Sequence, residues 1–283
     1  MKLIAILITI TGILFLSGCS RKPIYKSEWQ SSPLAVGEFK EKWQTNMQYN
    51  TKASMLYGVT NDDKYLYVSL KVTDKTIQRK IMLTGLTFWI DNTGKGKKQL
   101  GLTFPIKQRR QMNQGKISLI TGQKTSDQKI SIDELKRFND KYYNGMSEIL
   151  ITGFYGEDEP ELSGNKSVSG INAILWMDSL QALYYEAQIP LDMIFEKPEE
   201  YLINSTKYFS YAFETGYIEM PSMSSGGRAG GMSGKGGGGR GGGGGRGGSR
   251  PSGMNSETMA AMQEMSQSSK FHVKKAFLSY TIN

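Results

Sequence analysis

Few reactive groups are available for chemistry in this chain. Among its 283 residues there is one histidine, His272, and one cysteine, Cys19. A Ser-His-Asp triad would have to use His272, and no nucleophile-elbow pattern accompanies it. Zinc sites draw on several Cys or His ligands at fixed spacing, which one of each cannot supply. Gly94-Lys95-Gly96-Lys97 lacks the spacing and the Ser/Thr of a phosphate-binding loop and reads as a cationic hairpin turn. Asp91 and Glu186 sit in separate strand-like runs. A glycosidase needs two carboxyls about 5–10 Å apart, and nothing in the spacing brings this pair together. Asp91-Asn92-Thr93-Gly94 and Glu157-Asp158-Glu159 offer oxygen ligands for calcium. Lys95, Lys97 and Lys98 crowd the first, and the second lacks an EF-hand's glycine and spacing. The expectation is a protein with no catalytic site, no metal and no cofactor.

Binding chemistry is better represented. Strand parity sets Tyr65, Tyr67 and Trp89 opposite an aliphatic set, and Tyr184 opposite Tyr185, Ala187 and Ile189. Together Tyr65, Tyr67, Trp89 and Tyr184 make a candidate platform, because aromatic rings offer flat apolar surface with polar rims on which sugars can stack. The alternative is that a helix at Asp133–Asn144, or the segment between Trp29 and Trp43, covers these rings. Lys95, Lys97 and Lys98, with Lys107, Arg109 and Arg110, form a candidate basic patch. The net charge of +9 favours anionic partners or, more simply, a solvated basic surface.

These residues need a scaffold, and the stretch from Ser54 to Phe104 supplies its centre. Leu66, Val68, Leu70 and Val72 alternate with Tyr65, Tyr67, Ser69 and Lys71, the period of a half-buried strand. Met55–Thr60 precedes it across an Asn61-Asp62-Asp63-Lys64 turn. Leu86–Asp91 and Leu100–Phe104 form a second hairpin, with Asp74–Met82 between the pairs as a short helix or polar excursion. Ser131-Ile132-Asp133-Glu134 carries a capping box for a helix ending near Asn144-Gly145. Strand signals resume at Glu148–Phe154, Gly170–Met177, Leu180–Ile189 and Lys207–Tyr217, and Gly156–Ser169 reads as an acidic loop. Leu191–Phe195 reads as a short helical turn.

Seventeen of the chain's 33 glycines fall between Gly226 and Gly253, among scattered Arg and Lys. Such a segment cannot bury enough apolar surface to offset its ordering entropy, so disorder is expected. Arg240-Gly241-Gly242 and Arg246-Gly247-Gly248 resemble RNA-binding segments, but no aromatic residue is interleaved, which argues against nucleic acid. Met259, Met262 and Met265 then share a helical face. Phe271–Ile282 reads as a final strand, which makes the glycine run an insertion within one domain. The expected fold is mainly β: a single antiparallel β-sandwich with one or two short helices and a disordered Gly-rich insertion. The expected organisation is a leader over 1–18, a tether over 19–26, the sandwich over 27–221, the insertion over 222–269 and the closing strand over 270–283.

Two resemblances add to this. Met1-Lys2, the apolar run Leu3–Leu16 and Leu16-Ser17-Gly18-Cys19 resemble a bacterial lipoprotein signal peptide with its lipobox. That resemblance implies cleavage before Cys19, palmitate-type acylation of Cys19 and attachment to the lipid bilayer. Ser20-Arg21-Lys22 is not acidic, which in known sorting patterns implies the outer membrane, facing the periplasm. Further along, Gly37 and Trp43, Asn61-Asp62 before Leu66-Tyr67-Val68, the strand ending Trp89-Ile90-Asp91, and Tyr185-Glu186-Ala187-Gln188-Ile189-Pro190 occur in order. Together they resemble the family-9 carbohydrate-binding-module-like (DOMON-like) β-sandwiches of bacterial envelope proteins. In the position before Gly37, where the family usually carries an acidic residue, this chain has Val36. The resemblance implies a non-enzymatic binding domain, with carbohydrate as ligand. An envelope protein partner, in a structural or assembly role at the outer membrane, is the alternative, and a hydrolase-associated accessory a further one.

Overall fold

A computed structural model describes residues 25–37, 47–51, 55–106, 131–156, 159–165, 170–204, 206–217, 263 and 266–278, with backbone alone at 25–26, 143–144 and 272–275. The leader, Cys19, Trp43, the methionine-rich helical stretch and nearly all of the 222–269 segment lie outside the described residues.

Thirteen strands are described. They are β1 (Tyr25–Lys26), β2 (Glu28–Trp29), β3 (Gln48–Asn50), β4 (Met55–Asn61), β5 (Tyr65–Val72), β6 (Leu86–Asp91), β7 (Leu100–Phe104), β8 (Glu148–Thr152), β9 (Glu161–Gly164), β10 (Asn172–Met177), β11 (Leu183–Pro190), β12 (Phe209–Thr215) and β13 (Lys270–Phe277). They form two sheets. One has seven strands in the order β1-β13-β12-β6-β7-β8-β9. The other has six, in the order β10-β11-β5-β4-β2 with β3 also on β4. The pairings are antiparallel except for two short parallel contacts, β1 with β13 and β2 with β4. The fold is therefore a mainly β sandwich.

Alternation along the strands builds the core. Leu66, Val68, Leu70 and Val72 of β5 and Tyr185, Ala187 and Ile189 of β11 face Phe88 and Ile90 of β6 and Phe209, Tyr211 and Phe213 of β12. Tyr57 of one sheet meets Phe213 of the other edge-to-face, with ring centroids 6.0 Å apart. The two hairpins of the central meander therefore belong to different sheets: β4–β5 to one, β6–β7 to the other. The ten-residue helix α1 (Lys75–Thr84) carries the chain between them, its first turn capped by the Asp74 carboxylate accepting from Ile77 N–H at 2.9 Å.

Helix α2 (Ile132–Asn139) starts at the capping box: Ser131 Oγ accepts from Glu134 N–H, and the Glu134 carboxylate accepts from Ser131 N–H at 3.0 Å. It continues as a π-helical turn over Asp140–Asn144. Leu135 and Phe138 pack on the core. Two further short helices, α3 (Leu191–Ile194) and α4 (Pro198–Ile203), follow β11. The expected acidic loop at 156–169 contains β9, an edge strand paired to β8 whose side chains are mostly exposed. A strand with no buried face shows no alternation, which is why its sequence reads as a loop.

The free edge of the six-stranded sheet is covered by asparagine side chains. The Asn139 amide accepts from Met177 N–H at 2.8 Å and donates to Met177 C=O at 2.9 Å. Asn165 does the same at Ala173, accepting at 2.9 Å and donating at 2.7 Å. Each side chain stands in for one residue of a neighbouring strand, so β10 does not present these groups to another chain. Replacing both by alanine is expected to destabilise the domain by about 1–3 kcal/mol per site and to promote self-association. Urea midpoints and sedimentation velocity read the two effects.

Candidate functional site

The structure does not bring the four platform aromatics together. Tyr65, Tyr67 and Tyr184 lie on the outer face of the six-stranded sheet, and Trp89 lies on the outer face of the seven-stranded one. The sequence-based platform is corrected accordingly. Parity alone says that a side chain points away from the core; it does not say which of two outer faces it reaches.

On the six-stranded side the rings are covered. Tyr67 is fully buried beneath Leu34, with Val36, Met47 and Tyr65 packed around the pair. Its hydroxyl donates to Asp62 Oδ2 at 2.5 Å and accepts from Leu34 N–H at 3.3 Å. Burial first, and then the Asp62 carboxylate, push that hydroxyl's pKa well up. The covering chain is thus part of the Trp29–Trp43 segment. Tyr184 is 7% exposed, stacked on Trp176 at 4.1 Å and 6° between planes, with the Lys71 ammonium 5.4 Å from its ring. Glu186 is also buried, taking Gly37 N–H at 2.6 Å and the Trp176 indole N–H at 3.1 Å. Asp91 lies on the opposite outer face, so the two carboxylates never meet across a substrate site.

The seven-stranded side differs. Trp89 of β6 is paired with Gly101 of β7 and Ala212 of β12. Its ring lies over Gly101, where a Cβ would come within 2.7 Å of the indole. The indole N–H donates to Glu214 Oε2 at 2.7 Å. The Lys98 ammonium holds the same carboxylate, at 2.6 and 2.9 Å to its two oxygens, and stands 5.4 Å from the ring centroid. Ring orientation is therefore set by a missing side chain beneath it and a carboxylate at its edge. Trp89 is half-buried.

The β6–β7 connection folds over this face, and Asp91 organises it. Asp91 Oδ1 accepts from Thr93 N–H at 2.9 Å and from the Thr93 hydroxyl at 2.5 Å, and Oδ2 from Lys97 N–H at 2.9 Å. Gly96 N–H donates to Ser210 Oγ at 2.9 Å, which ties the turn to β12. Gly94, at φ +67°, packs directly on the Tyr208 ring, where a Cβ would be 2.4 Å from the ring. A shallow depression results, open to solvent and with room for little more than a water molecule. It is lined by Trp89, Ala212, Ser210, Lys97, Lys98 and Lys270, with Gly96 and Tyr211 behind.

Burial works against the Asp91 anion, but the donors around it prevail and hold its pKa below the ordinary carboxylate value. A depressed native pKa gives stability that is fully present above the unfolded value of about 3.9 and lost as pH falls through the native value. Wild-type protein is therefore expected to lose stability below about pH 4 more steeply than Asp91→Asn. Urea midpoints across the acid range measure the difference.

Only half of the candidate basic patch lies among the described residues. Lys95, Lys97 and Lys98 sit in the β6–β7 turn and are exposed. Lys107, Arg109 and Arg110 lie outside the described residues. Lys270 was missed in the sequence, because only the β12–β13 register shows that it faces Glu214. Trp176 was missed too, although the hairpin around Asp178 pairs it with Tyr184. Among the described residues, no three His, Cys, Asp or Glu side chains converge as metal ligands.

Comparison with solved structures finds a family 9 carbohydrate-binding module from Caldicellulosiruptor kristjanssonii. Its complex with glucose is 13% identical, covering 69% of this chain and 78% of that one at a TM-score of 0.30. Its complex with cellotriose is also 13% identical, covering 69% and 76% at a TM-score of 0.29. No protein-family model and no curated protein matches the chain.

Proposed function

We propose that this chain is a non-enzymatic, lipid-anchored envelope protein whose sandwich binds carbohydrate on the outer face of the seven-stranded sheet. One observation carries the reading: the Trp89 indole is held over Gly101 by Glu214 and borders a shallow depression flanked by Ser210 and lysine side chains. A rigid aromatic surface beside hydrogen-bonding groups suits the apolar face and hydroxyl edge of a sugar ring. The sequence resemblance to carbohydrate-binding sandwiches points the same way.

Anchoring belongs to the same proposal. Acylated Cys19 would hold the domain to the bilayer, with the outer membrane facing the periplasm as its location. β1 begins at Tyr25, six residues beyond Cys19, and that span reaches at most about 20 Å. A tether of this length supports a domain that works close to the membrane surface.

A glycan array probed with the full-length chain in detergent tests the binding reading. Wild type is expected to bind at least one glycan class, with the signal lost in Trp89→Ala. No response across a broad panel, or an unchanged response in Trp89→Ala, would overturn it.

A further inference from the structure

The lysines around Trp89 carry the reading further, to a ligand class. Three ammonium-bearing side chains line the depression: Lys97 and Lys98 from the β6–β7 turn and Lys270 from the start of β13. They do not play the same part. Lys98 is committed to Glu214, whose carboxylate is already shared with the Trp89 indole N–H and is only 14% exposed. Lys97 and Lys270 are exposed, and no described carboxylate pairs with either.

The local acids are likewise accounted for. Asp91 is buried and turned inward to the Thr93 and Lys97 N–H groups, and Glu214 is held by Lys98. An incoming ligand thus meets, at the rim of an aromatic surface, two exposed ammonium groups with no ion-pair partner among the described residues, while the two anions beneath them are satisfied internally. The backbone carrying Lys97 is fixed by its own N–H bond to Asp91 and by the neighbouring Gly96–Ser210 bond. Lys270 is fixed by the β12–β13 register.

We infer that the surface around Trp89 takes an acidic sugar unit, a ring that rests against the indole above the shallow depression and carries a carboxylate or sulfate between Lys97 and Lys270. This rests on the carbohydrate reading above and adds its charge class. A neutral sugar would use the indole but make no use of the charge of either ammonium group. An acidic peptide would use the ammonium groups but gain little from a flat indole.

The test is direct titration of the full-length chain in detergent with matched probes: polygalacturonate against its methyl ester, dextran sulfate against dextran, and poly-L-glutamate. The acidic glycan of at least one pair is expected to bind about tenfold tighter than its neutral partner, with the preference falling as salt rises. Lys97→Gln/Lys270→Gln is expected to remove that preference with the denaturation midpoint unchanged. Which pair shows the preference tells carboxylate from sulfate. Equal binding within both pairs, with the double variant unchanged, would overturn the acidic assignment and leave carbohydrate binding standing. Poly-L-glutamate binding as tightly as the acidic glycans, and equally in Trp89→Ala, would overturn it in favour of a charge-only surface. No binding of any glycan would overturn both readings.

Discussion

Trp89→Ala is expected to weaken glycan binding about thirtyfold, corresponding to roughly 2 kcal/mol for truncating a buried-edge aromatic anchor at the centre of a site. The ring's orientation, and not only its presence, produces this effect. Its N–H is held by Glu214 and its face by the absence of a side chain at Gly101. Gly101→Val should therefore reproduce much of the loss with Trp89 still in place, because the new side chain occupies the ring's position. Trp176→Ala is the matched control: that ring lies on the opposite outer face, stacked on Tyr184, and its removal should leave affinity unchanged. Isothermal titration of the three variants against any glycan the wild type binds checks all of this. A Trp176→Ala loss larger than the Trp89→Ala loss would move the site to the other sheet.

Phe213→Ala is expected to cost about 3–5 kcal/mol of folding stability, the usual range for removing a fully buried phenylalanine. Phe213 lies at the middle of β12 with no solvent exposure. It packs on Phe88 at 5.2 Å within its own sheet and on Tyr57 at 6.0 Å across the sandwich. The change thus opens a cavity where the two sheets meet. Against a total stability of about 5–15 kcal/mol for a domain, this is a large fraction. Urea unfolding followed by circular dichroism should show a lower midpoint. A shift below about 1 kcal/mol would mean that the sheets close over the gap, contrary to the dense aromatic packing around it.

Much of the fold was legible because period-2 alternation survives wherever one face is buried. The aliphatic set of β5, the β10–β11 hairpin around Asp178 and the return of the chain at Phe271 all stand out for that reason. The observed pairing of β13 with β12 follows from the same pattern. β9 did not stand out, since an edge strand with exposed side chains carries no such pattern. α4 was missed as well, although Pro198 at its first turn with Glu199 and Glu200 behind it is a helix-start signal.

The site was legible only in pieces. Trp89, Lys97 and Lys98 could each be singled out, but as members of two separate groups. Joining them needs the β6–β7 turn to fold over β12, which depends on Asp91, Gly96 and Ser210 meeting in space. Grouping Trp89 with Tyr65, Tyr67 and Tyr184 went wrong because α1 carries the chain from one sheet to the other between β5 and β6. A crossover between sheets leaves strand parity intact while exchanging the solvent that each outer face meets.

The central claim is that the ligand stacks on Trp89. Fluorine NMR of the full-length chain labelled with 5-fluorotryptophan addresses it most directly, since the chain has four tryptophans and each resonance is assigned by its Trp→Phe variant. On adding a bound glycan, the resonance that disappears in Trp89→Phe should shift, and the Trp176 resonance should stay in place. Movement of the Trp176, Trp29 or Trp43 resonance with Trp89 unmoved would contradict the account.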